Sequence, residues 1–160
     1  MRRDSGFTAL EVAITLAIVA ILASVTMPSF LKWLQAFRLR GAAINLMADI
    51  EMAKVRAIRE GALVSIQFSE NRYQVFFDNG ASCVTASKTR DGAEGLIQDR
   101  RLPTAVRVSL ADLILPQPGI CFDSRGQAPE LAAAAVLIPL ENDSGRKNVR
   151  VNRLGSVRIQ

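Results

Sequence analysis

The sequence predicts an α+β chain: one long N-terminal helix, then a strand-only region forming an antiparallel β-sheet packed on the second half of that helix. Three observations predict it. An apolar run extends from Phe7 to Met27 with one charge in it, Glu11. An apolar stripe at three- and four-residue spacing then runs from Leu39 to Ala57. Beyond Gly61, short strand-like segments alternate with turn signals such as Asn79-Gly80, Ser124-Arg125-Gly126 and Asn142-Asp143-Ser144-Gly145.

A basic leader, Arg2 and Arg3 with Asp4, ends at Gly6. A run of about 20 apolar residues is long enough to cross a bilayer as a helix. Its thin interruptions, Thr8, Thr15, Ser24 and Thr26, carry hydroxyls that bond back to their own helix. Glu11 is the anomaly. A carboxylate at mid-bilayer costs about 2.5–3.5 kcal/mol on insertion scales and needs a partner inside the membrane. If the chain is cut after Gly6, the new amine of Phe7 lies one turn before Glu11, about 6 Å along the axis. The same amine on a neighbouring copy would serve equally well. An ordinary secretory signal peptide ending near Leu22-Ala23-Ser24 would not place a Glu in its apolar core. A plain anchor gives no reason for Gly6 or Glu11.

Pro28 removes one helical hydrogen bond and is expected to interrupt the helix, as a kink at the membrane exit or as a local weakness. Phe30, Trp33 and Phe37, with Lys32, Arg38 and Arg40, suit a membrane interface. Leu39, Ala43, Leu46, Ile50, Ala53 and Ala57 then form one apolar stripe, widened by Met47 and Ile58. Asn45, Asp49, Arg56 and Glu60 are expected on the opposite side, and Gly61 as the C-cap. Leu63–Ser69 and Arg72–Phe77 read as a hairpin around Glu70-Asn71. The segment 81–101 reads as a polar loop carrying Cys83. Ala105–Leu110 and Gly119–Asp123 read as strands, the latter holding Cys121. The segment 132–140 suits a buried strand, although its alanines would also suit a helix. Asn148–Asn152 and Ser156–Ile159 form a closing hairpin across Arg153-Leu154-Gly155.

Gly6, Phe7, Thr8 and Glu11 resemble the processing signal of type IV prepilins and type II secretion pseudopilins, Gly-Phe-Thr-x-x-Glu with the cut after Gly. The resemblance implies a pilin-like fold, cleavage between Gly6 and Phe7 by a prepilin peptidase/methyltransferase, and N-methylation of Phe7. It also implies pairing of Glu11 with the Phe7 amine of an adjacent subunit during assembly. Two further stretches, Ala53-Lys54-Val55-Arg56-Ala57-Ile58-Arg59-Glu60-Gly61 and Val149–Arg158, resemble the minor pilins of the GspH/FimT type. By that resemblance the chain divides into a leader 1–6, a transmembrane half-helix 7–29, an amphipathic half-helix 30–60 and a periplasmic β-rich domain 61–160. It would sit in the inner membrane, single-pass, with its N-terminus cytoplasmic. The implied function is that of a minor pseudopilin in the pseudopilus of type II protein secretion. The alternative is a FimT-like minor pilin that primes a type IV pilus or binds DNA for uptake. The implied partners are the peptidase, other pseudopilins or pilins, membrane lipid and, in the alternative, DNA.

Composition narrows the chemistry. The 160 residues leave room for one domain beyond the anchor. There is no histidine, which excludes Ser-His and Cys-His nucleophiles and most zinc and haem ligation. No P-loop, dinucleotide fingerprint or GxSxG motif occurs, so neither enzyme activity nor a cofactor or metal is expected. Cys83 and Cys121 would either form a disulfide in an oxidising periplasm or remain two buried thiols. Lys and Arg number 20 against 15 Asp and Glu, and loss of the leader leaves +4, 18 against 14. From Ser144 to Gln160 there are five cations, Arg146, Lys147, Arg150, Arg153 and Arg158, and no acid. With Arg146 and Lys147 in a turn and Arg153 at the hairpin tip, they would form one positive patch for DNA or a partner. The competing reading is a solvated face or a contact to acidic neighbouring subunits.

Overall fold

Thr8 opens a helix, α1 (Ala9–Glu60), in a computed structural model that describes residues 8–160 apart from 86–87, 93, 114, 116 and 132–134. The chain forms two units, 1–34 and 35–160. In the first, α1 continues through Pro28 rather than ending there. The proline removes one backbone donor, and the turns on either side persist. The hydroxyls bond back as expected: Thr15 Oγ1 donates to the Val12 carbonyl at 2.8 Å, Ser24 Oγ to Ile21 at 2.7 Å and Thr26 Oγ1 to Leu22 at 2.8 Å. These three hydroxyls therefore need no water, as a stretch lying in lipid requires, and Glu11 remains the exception. Phe30 and Trp33 stack obliquely with ring centroids 5.9 Å apart.

In the second unit the helix carries the predicted stripe. Leu39, Ala43, Leu46, Ile50, Ala53 and Ala57 are all buried, as is Ala42. Small alanines alternate with leucine and isoleucine, so strands can approach the helix closely. The helix ends at Gly61, where φ is +62° and the Ala62 amide donates to the Ala57 carbonyl at 3.2 Å. That left-handed residue and six-residue closure form a Schellman cap.

Among the described residues two four-stranded sheets follow, not one. The first runs β3 (Leu96–Arg101), β2 (Arg72–Asp78), β1 (Leu63–Ser69), β5 (Gly119–Phe122). The second runs β4 (Arg107–Val108), β6 (Val136–Asn142), β7 (Gly145–Val151), β8 (Val157–Ile159). Every pairing is antiparallel. The β1–β2 hairpin closes on Glu70-Asn71 with Ser69 opposite Arg72. The β6–β7 hairpin closes on Asp143-Ser144 with Asn142 opposite Gly145. Strand parity sends Val64, Ile66, Phe68, Tyr73, Val75, Ile120 and Phe122 into one core with Ile138, Leu140, Val149, Val151 and the helix stripe.

The structure corrects three expectations. The loop read over 81–101 ends in a strand, β3, paired with β2. The strand read over Ala105–Leu110 shrinks to two residues, because a 3-10 turn, Leu110–Asp112, begins after Ser109. The Ser109 hydroxyl donating to Asp112 at 2.9 Å holds that turn. Arg146 and Lys147 belong to β7 and not to the turn before it. Most of the segment 132–140 forms β6, its residues 132–134 lying outside the described ones.

Candidate functional site

Gly6 and Phe7 lie outside the described residues, so the described part of the assembly site begins at Thr8. Thr8 Oγ1 accepts the Glu11 amide proton at 3.2 Å, capping the first turn. Glu11 stands in that turn, exposed, where a negative charge suits the helix dipole. Among the described residues no cation pairs with it. It is the single charge between Thr8 and Leu31.

A disulfide joins Cys83 and Cys121, with Cα atoms 5.3 Å apart. It staples the segment after β2 onto the outer face of the first sheet, over Phe76 and Ser65, both buried. The segment is further held by its own polar groups. Ser65 Oγ donates to Asp78 at 2.7 Å, and the two Glu94 carboxylate oxygens accept the amides of Asn79 and Asp91 at 3.2 and 3.3 Å. Glu130 supports the other cysteine, accepting the Cys121 amide proton at 2.7 Å. Its second oxygen is buried without a partner among the described residues, and burial pushes the carboxyl above the usual glutamate range, against the pull of the Cys121 bond.

The C-terminal cations separate into distinct settings. On β7, Arg146 and Arg150 point outward, while Lys147 shares the parity of the buried Val149 and Val151. Lys147 instead borders a depression with Ala36, Arg40, Ala43, Ile44 and Ile159. Arg146 pairs with Asp112 and lies 3.8 Å from Glu141, which also holds Arg107 at 3.0 Å. Arg150 on β7 faces Arg158 on β8, in direct register. Arg153 is exposed in the turn between them. The five cations thus do not share one patch.

Two arrangements escaped the sequence reading. Asp49, expected on the solvent side of the helix, is buried. It accepts the Tyr73 hydroxyl at 2.7 Å and the Arg100 guanidinium at 2.6 and 3.2 Å. Burial, reinforced by Asp49, drives the Tyr73 hydroxyl far above the ordinary tyrosine range, and the bond to Asp49 raises Arg100. The signal was present: Asp49 sits three residues after Leu46 and four before Ala53, in phase with the stripe. The second arrangement is at the closing turn. Lys54 Nζ donates to the Gly155 carbonyl at 3.0 Å. Gly126, at φ +74°, lies so near the helix that a Cβ there would stand 2.6 Å from Ile58 Cδ1.

A concavity of about 700 Å³ opens between Asn71, the segment 102–107 and the β6–β7 hairpin. Its polar walls include Arg107, Glu141 and Arg146, already paired with acids or with one another. Among the described residues no group of three or more His, Cys, Asp or Glu could hold a metal ion.

The profile of the family described as type II transport protein GspH matches residues 42–155. The type IV minor pilin FimU of Pseudomonas aeruginosa shares the fold at a TM-score of 0.59 and 12% identity, over 80% of this chain and 92% of that one. The minor pseudopilin EpsH from the type 2 secretion system of Vibrio cholerae shares it at 0.54 and 12% identity, over 77% and 96%. At that identity the likeness is one of fold. No curated protein matches the chain.

Proposed function

The chain belongs to the GspH family of type II transport proteins, structural subunits of the pseudopilin kind, and on that premise we propose how this minor pseudopilin is used in type II protein secretion. It waits in the inner membrane on residues 7–29 with its β-domain in the periplasm, is cut between Gly6 and Phe7, and joins a pseudopilus that drives folded proteins outward. The observation that carries this reading is the exposed apolar surface of α1 from Leu10 to Leu31, whose single charge is Glu11. Such a surface is stable in lipid or against like helices, and in both settings a lone carboxylate demands a cation. The N-methylated amine of Phe7 on a neighbouring subunit supplies it, which makes Glu11 a register device. The partners this reading requires are the prepilin peptidase/methyltransferase, the other pseudopilins and membrane lipid. The folded unit serves as a structural part and not as an enzyme.

A clean deletion, scored in parallel for secreted proteins and for surface pili with DNA uptake, tests it. Loss of secreted proteins with pili intact is the expected result. The likeness of fold to FimU favours one second reading, a minor pilin that primes a type IV pilus or contacts DNA. Loss of pili or of DNA uptake with secretion intact would select it and overturn the first.

A further inference from the structure

The outer face of the second sheet carries a feature that its stability does not require. Arg150 and Arg158 are direct cross-strand neighbours, and like charges directly opposed destabilise a sheet. Four other strand arginines have acids: Arg72 has Asp99 at 3.9 Å, Arg100 has Asp49, Arg107 has Glu141, and Arg146 has Asp112. Arg72 also faces an arginine, Arg101, but its bond to Asp99 relieves that pair. Among the described residues, Arg150 and Arg158 form the one opposed cationic pair in which neither member meets a carboxylate. With Asn152 and Ser156 they line a depression of about 200 Å³. On the other side of Arg150, in register with it on β6, stands Leu137, an apolar side chain 42% exposed.

From this row we infer that Leu137, Arg150 and Arg158 form a docking surface for an acidic segment of another protein. A carboxylate of the partner sits between the two guanidiniums, and an apolar side chain beside that carboxylate covers Leu137. Paired guanidiniums offer parallel donors to a carboxylate, and the anion removes the repulsion between them. The surface fits a protein better than a nucleic acid. Two cations neutralise about two phosphates, too few for firm backbone binding. No aromatic residue occurs in β6, β7 or β8 to stack a base. Further along the same face Arg107 and Arg146 are already engaged by Glu141 and Asp112, so the row offers an extended polyanion little beyond Arg150 and Arg158. Leu137 has no use to a phosphate chain.

The inference does not depend on which filament the chain enters, so its failure would leave the assembly reading standing. The test uses the full-length protein in neutral detergent and three labelled probes followed by anisotropy: a peptide of alternating Glu and Leu, one of alternating Glu and Ser, and a short DNA duplex. The Glu-Leu peptide should bind best. The double substitution Arg150→Gln with Arg158→Gln should weaken it about tenfold or more, and Arg107→Gln by less than about twofold. Leu137→Ser should weaken the Glu-Leu peptide and leave the Glu-Ser peptide unchanged. Preference for the duplex, no peptide binding, or equal binding by the double variant would each overturn the inference. Melting of the peptide-free protein gives a second readout. Arg150→Gln should melt at the parent temperature or above it, since it removes a repulsion. A lower melting temperature would make the pair a structural one and overturn the proposal.

Discussion

From Leu10 to Trp33 the large apolar side chains are 45–71% exposed, whereas the stripe from Leu39 to Ala57 is at most 4% exposed. One helix thus obeys two rules. In the first unit apolar residues occur all round and the few hydroxyls turn back onto the helix, so the segment is written for a solvent other than water. In the second unit they keep one face, and what they touch is the protein's own sheets. The unit from Gln35 onward is held by a core, a buried charge network and a disulfide. Among the described residues the unit before it contributes nothing to the core. On the proposed function, folding information and assembly information occupy separate stretches, and substitutions can pull them apart.

The largest separation is expected from a matched pair. Leu46→Ala should cost the domain about 2–5 kcal/mol, since it opens a cavity between helix and sheets. Leu22→Ala should leave domain unfolding unchanged and weaken membrane retention. Urea unfolding of the full chain in micelles compares them, and equal losses of domain stability would erase the distinction. Opening the Cys83–Cys121 bridge, which spans a sequence separation of 38, should cost about 4 kcal/mol through chain entropy. The same unfolding measured with and without reductant reads that loss, and an unchanged midpoint would show that the core alone closes the second unit.

Asp49→Ala should cost about 2–3 kcal/mol, since it leaves the Tyr73 hydroxyl and the Arg100 guanidinium without their acceptor. The half-exposed Arg100 can turn to water, which keeps the loss below that of a fully buried pair. A loss under about 0.5 kcal/mol would mean that the network does not lock helix to sheet. The smallest effect concerns pH. The Glu130 carboxyl is raised by burial, so the folded chain holds its proton more firmly than the unfolded one. Its contribution is complete below the ordinary glutamate range and fades as pH rises through the raised value. Glu130→Gln should flatten that decline in unfolding midpoints between acid and neutral pH. A decline of the same slope in the variant would assign it to another group.

Much of this organisation is legible in the sequence because burial there has a period. The six stripe residues, the two-residue turns at Glu70-Asn71 and Asp143-Ser144, and the Gly61 cap each follow from local rules that the packing does not override. The strand Leu96–Arg101 is not legible, and Asp49 explains why. Gln98 and Arg100 take inward positions opposite Val75 and Tyr73, where a hydrophobic alternation would place apolar residues. Arg100 reaches inward to a carboxylate on the helix, so two polar residues that look solvated in sequence satisfy each other inside. The resemblance in the stretch from Ala53 to Gly61 also acquires a physical content. Ala53 and Ala57 face the core, while Lys54 and Ile58 receive the turns at Gly155 and Gly126. The split among the C-terminal cations was hidden for another reason. It depends on which acids the β4–β6 edge and the 3-10 turn bring beside Arg146, a long-range placement that no run of charges records.

On the proposed function the first unit is written for assembly, with Glu11 as its register. The most direct measurement follows the Glu11→Ala chain in cells lacking the parent. Precursor mass would report processing, membrane fractionation would report insertion, and crosslinking to neighbouring pseudopilins would report incorporation. The expected result is a processed and inserted chain that is lost from the filament. Incorporation at the parent level would contradict it.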